Sequence, residues 1–138
     1  MSKVISSPAP QDLPSMGDMK IILDEMGIPF ESTPSAEIYI RDLKTSLGMD
    51  PYEEGRWSAG YAFFGYTQSK SGAVTRVMDD MWQDKIEPRL QDFESRVIQY
   101  GVALQMKSQL AAQNIPADIA FNHETNEFEI TTSAEAWS

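Results

Sequence analysis

The chain of 138 residues carries 11 basic and 21 acidic side chains, a formal net charge of −10, with one histidine and no cysteine. That length suits one ordinary domain with a real core, and the missing cysteines exclude a disulfide framework, a thiol nucleophile and cysteine-based zinc or iron–sulfur sites. A single histidine excludes centres built on two or three imidazoles, and a pI near 4.4 argues against general binding of nucleic acid or anionic membranes, both of which need a basic face.

Residues 1–14 hold Pro8, Pro10 and Pro14 and no periodic apolar pattern, which predicts an extended arm. The start, Met1–Pro10, lacks the apolar run of a signal peptide, and no stretch approaches the roughly 20 apolar residues of a spanning helix. A cytoplasmic protein is the expectation. Ser15, with Asp18 three residues on, reads as a helix N-cap, and Gly27 as its stop. Between them Met19, Ile22, Leu23 and Met26 form one apolar stripe.

Thr33-Pro34 predicts a second helix with the stripe Ala36, Tyr39, Ile40, Leu43 and Leu47, ended by Gly48. A strand over Glu37–Ile40 is the rival, because Ile38 and Ile40 also alternate. Asp50-Pro51 repeats the cap-plus-proline signal and opens an aromatic segment. There Trp57, Tyr61, Phe63, Phe64 and Tyr66 stand beside Gly55, Gly60 and Gly65. Rings beside glycines predict large side chains packed around close backbone, in preference to a ligand pocket. Thr67–Gly72 is then a polar loop.

From Ala73 to Asn114 the pattern reads as helix. Val74, Val77, Met78, Met81 and Trp82 make one stripe up to Pro88, where the helix restarts or kinks. Beyond it Leu90, Val97, Leu104 and Ala111 recur every seventh residue, interleaved with Phe93 and Tyr100, until Lys107 takes a d-type slot. Ile98, Val102 and Met106 lie outside that seam and widen the apolar surface. Asn114 and Ile115-Pro116 end the helix. Ile119 and Phe121, then Phe128 and Ile130, alternate on either side of His123–Asn126, predicting a β-hairpin whose turn puts Asn126 in the left-handed conformation.

Residues 114–138 hold five acidic and no basic side chains, so half of the net charge sits in less than a fifth of the chain. The sequence carries no strong catalytic motif. His123–Glu127 is HExxE on a turn, not the HExxH of a zinc helix, and Gly65–Gly72 lacks the Gly-Lys-Ser/Thr ending of a phosphate loop. Asp80, Asp84 and Glu87 would share a helical face, but Arg76, Lys85 and Arg89 nearby make that a salt-bridged surface, with Arg76 reaching Asp80. No catalytic residue, cofactor or metal site is expected.

The expected fold is therefore mainly α: a small helical bundle around a long helix pair, with an extended arm over 1–14, a helical domain over 15–116 and an acidic β-hairpin and tail over 117–138. The expected function is a non-enzymatic structural or assembly subunit with protein partners, either a homo-oligomer or part of a larger complex. It would make no direct contact with nucleic acid or membrane. The residues expected to carry the contacts are Leu90, Phe93, Val97, Tyr100 and Leu104 of the helical seam and Phe121, Phe128 and Ile130 of the hairpin. Connector, decoration and baseplate components of virus particles offer an architectural analogy. The alternative is a small acidic binding protein or inhibitor that occupies a basic groove, using Glu124, Glu127 and Glu129.

Overall fold

Val74–Asp79 carries β-branched residues at close spacing and follows the turn-forming run Ser69–Gly72, and in the computed structural model it is a strand rather than a helix. The structure describes residues 3–122, 124, 125 and 127–132. In chain order these form β1 (Val4–Pro8), α1 (Met16–Met26), β2 (Ile38–Ile40), α2 (Leu43–Leu47), β3 (Phe64–Gln68), β4 (Val74–Asp79), α3 (Gln83–Ala112), β5 (Ala117–Asn122) and β6 (Glu127–Thr132). Short 3-10 turns occupy Ala59–Tyr61 and Asp80–Trp82.

The expectation of a mainly α helical bundle is thus corrected. At 41% helix and 25% strand, with a four-stranded and a two-stranded sheet, the fold is one long helix set against β structure. The larger sheet is antiparallel in the order β1-β4-β3-β2. Residues 33–48 are not one helix either. Ile38 and Ile40 pair with Tyr66 and Phe64 in the sheet, so the strand rival holds. The helical remainder is α2, capped by Asp42, whose carboxylate accepts from Thr45 N at 2.9 Å and from Thr45 Oγ1 at 2.8 Å. The proline at 34 marked a bend before the strand, while Gly48, left-handed at φ 69°, does stop the helix.

Ser15 caps α1, and Gly27 ends it. At the far end of α3, Asn114 takes φ 62°, with Asn114 N donating to Ala111 O and Ile115 N to Leu110 O, a left-handed closure that asparagine tolerates. α3 runs unbroken through Pro88, so neither a restart nor a helix pair forms there.

β4 explains why a helical stripe was legible where a strand exists. Residues 74, 77, 78, 81 and 82 are all buried or half-buried, and within the strand this burial falls on both faces. On one face Met78 joins Phe64, Tyr66, Ile38, Ile40, Trp82, Ile86, Leu90, Phe93 and Val97 in the main core. On the other Val77 packs with Ala36, Phe63 and the half-buried Tyr39. The Tyr39 and Phe63 rings stack at 4.5 Å between centroids. Gly65 lets β2 approach, since a methyl there would lie 2.0 Å from Ile38 O and 3.1 Å from Ala36 Cβ.

Residues 4–16 do not stand away from the body. Val4–Pro8 pairs antiparallel with β4, from Val4 opposite Asp79 to Pro8 opposite Thr75, as an edge strand where proline is tolerated. Leu13 and Met16 continue into the core.

Candidate interaction surface

α3 packs against the main sheet, α1, α2 and the hairpin, and that division places the residues of the predicted seam. Its inner stripe, Ile86, Leu90, Phe93 and Val97, is buried, with Phe93 edge-on to Phe64 at 5.1 Å. Leu90, Phe93 and Val97 are therefore occupied by the chain's own sheet. Tyr100 and Leu104 are half-buried against the same core. Tyr100 also stands edge-on to Phe128 of the hairpin at 4.8 Å, and Phe128 meets Phe121 at 5.0 Å. Phe121, Phe128 and Ile130 lie on the half-buried face of the hairpin, which packs on α3, while Asp118, Glu127, Glu129 and Thr131 alternate outward. The turn residues His123 and Asn126 lie outside the described residues.

The seam thus brings Tyr100, Phe121 and Phe128 together within the chain. What remains open is the neighbouring stripe. Val102 is 52% and Met106 49% exposed on α3, and Ile21 of α1 is 59% exposed. A groove of about 650 Å³ separates the two helices, lined by Ile21, Ile22, Ile98, Gly101, Val102 and Leu104 with Asp12 and Asp18. Gly101 permits this close crossing, because a methyl there would sit 3.0 Å from Ile22 Cδ1. No charged residue occurs from Val97 to Met106, and after Lys107 none occurs before Asp118.

A second feature escaped the sequence reading. The segment between α2 and β3 is clipped to the start of α3 by Arg56. Its Nη1 donates to Met81 O at 2.6 Å and to Asp84 Oδ1 at 2.9 Å, and its Nη2 donates to Asp84 Oδ2 at 2.6 Å. The guanidinium lies 4.9 Å from the centre of the Trp82 ring. Trp82 Nε1 in turn donates to Ser58 O at 3.0 Å, and Lys85 pairs with Glu54 at 3.5 Å. The hydrogen bonds from Arg56 hold the Asp84 carboxyl below its usual range. Trp57 and Tyr61, read from sequence as core packing, are instead exposed, as is Tyr52. Phe63, Phe64 and Tyr66 do enter the interior.

The acidic trio also separates. Asp80 sits in the 3-10 turn and accepts from Lys3 N at 2.8 Å, Asp84 is held by Arg56, and Glu87 accepts from Gln83 Nε2 at 2.8 Å. Arg76 is on a strand and pairs with Glu94, not Asp80. Among the described residues no group of three or more acidic or histidine side chains is placed to hold a metal ion. No helix among them is long and apolar enough to cross a membrane. Comparison with protein-family models, with curated proteins and with solved structures finds no match for this chain.

Proposed function

We propose that this protein is a non-enzymatic structural subunit that assembles with copies of itself through the outer half of α3, as a component of a larger complex of the kind found in virus particles. The observation that carries this reading is the uncharged helix face around the exposed Val102 and Met106. Interface centres are depleted of charge. Two molecules of net charge −10 repel at long range, but salt screens that repulsion within about 8–10 Å. The Val97–Met106 stretch of α3 brings no charge of its own to the contact, so the like charges left there are Asp12 and Asp18 in the groove beside it. An isologous pair with Val102 near a two-fold axis covers the stripe on both copies. Because β1 and the hairpin lie against their own chain, α3 rather than the terminal arms is assigned the contact.

Sedimentation equilibrium at micromolar concentration and physiological salt tests this. The wild-type chain is expected as a dimer or larger, and Val102→Glu with Met106→Glu as a monomer of unchanged circular dichroism. A strictly monomeric wild type overturns the reading.

The acidic binding protein is the second reading, favoured by the outward row Asp118, Glu127 and Glu129. Neutralising these three would abolish binding to a basic partner while leaving self-association intact.

A further inference from the structure

Tyr52 and Trp57 are each 75% exposed and Tyr61 is 64% exposed, so one short segment supplies three of the large apolar side chains left open among the described residues. The segment is not loose. Arg56 ties its middle to Met81 and Asp84, Ser58 receives the Trp82 indole, and Glu54 meets Lys85. The Tyr52 hydroxyl reaches across to Gly60, where a methyl would stand 3.9 Å from it. A fixed loop that turns its rings outward suits binding, because little ordering entropy remains to be lost and exposed Trp and Tyr are the strongest anchors of protein contacts.

Charge indicates which partner the loop fits. Around the rings the segment carries Asp50, Glu53 and Glu54; Glu54 is paired with Lys85 and the segment's own cation, Arg56, is turned inward onto Asp84 and Trp82, so Asp50 and Glu53 leave it net acidic. Glu87 lines the adjoining surface of α3 with Gln83, Pro88 and Asp84, the last already paired with Arg56. Rings among carboxylates attract guanidinium and ammonium groups through both the ring face and the opposite charge, and they repel phosphate-bearing partners. The Arg56 guanidinium over Trp82 is the same pairing made within the chain.

We propose that the Tyr52–Tyr61 loop is a docking surface for an arginine- or lysine-bearing segment of a partner protein, separate from the self-contact on α3. The test is fluorescence anisotropy of the full chain with a labelled peptide of alternating Gly and Arg, at physiological salt, against the same peptide with Glu in place of Arg. The Arg peptide is expected to bind and the Glu peptide not. Trp57→Ala and Tyr61→Ala should each weaken binding about tenfold with an unchanged unfolding midpoint. Glu127→Gln with Glu129→Gln, and separately Val102→Glu, should leave binding unchanged. Absence of peptide binding, equal binding by the ring variants, or loss of binding in the hairpin variant each overturns the proposal. Ring-dependent binding of maltohexaose in place of the peptide also overturns it, in favour of a sugar.

Discussion

Glu94 brings its carboxylate into a site only 2% exposed, where Tyr66 Oη and Arg76 Nε both donate to Oε2 at 2.8 Å and Arg76 Nη2 donates to Oε1. The fully paired carboxylate links β3, β4 and α3, and its removal from balance should be costly in one direction only. Arg76→Met leaves a buried charge without its cation and is expected to cost about 3–5 kcal/mol. Tyr66→Phe removes one neutral donor and should cost about 1 kcal/mol. Urea midpoints at constant m-value check both. Burial, then the negative Glu94, raises the Tyr66 phenol above its ordinary 10.0. The unfolded chain titrates at the ordinary value, so this stability is complete below pH 10 and declines as the pH rises beyond it. Tyr66→Phe should flatten part of that alkaline decline, the remainder coming from Tyr39 and Tyr100, which burial also raises. None of this triad was legible in the sequence. Arg76 reads as a helical neighbour of Asp80, and only the strand's alternation points it at α3.

At the scale of elements, the signals that survived are the local ones. Ser15 and Gly27 bound α1, Gly48 and Asn114 close their helices, and the alternation over 117–132 forms a hairpin. These depend on a few adjacent residues satisfying helix ends or a strand face. The misread elements are those whose apolar pattern reports burial on two sides, as in Val74–Asp79, where helix and strand periods cannot be separated. The hairpin also shows what an element needs from its neighbour. Two strands alone are marginal in water, and here Phe128 anchors them on Tyr100. Phe128→Ala should therefore speed hydrogen exchange of the β5–β6 amides selectively, while β3–β4 amides stay protected. Equal loosening of both sheets would show the hairpin to be integral to the main core.

For the whole molecule, the uneven placement of charge governs association. The Val97–Met106 stretch of α3 is uncharged while the chain as a whole carries net −10, so raising ionic strength should strengthen self-association by screening long-range repulsion and that of Asp12 and Asp18 beside the stretch. Sedimentation across a salt series checks this, and weakening with salt would point to a charge-paired contact instead. The exclusion of thiol and multi-histidine chemistry, the Ser15 cap, the stops at Gly27, Gly48 and Asn114, the hairpin and the apolar stripe Ile98, Val102 and Met106 were all readable in the sequence, because they rest on composition or on spacing within a few turns, whereas the caps suggested by Thr33-Pro34 and Asp50-Pro51 open no helix. Tertiary structure decided which stripe is spent inside and which stays open. The seam of Leu90, Phe93 and Val97 is filled by Phe64 and its sheet, and the segment that Arg56 ties to Asp84 leaves Trp57 and Tyr61 exposed, through partners that lie tens of residues away in the chain. A pattern of apolar residues states that burial occurs; only the packed chain states against what.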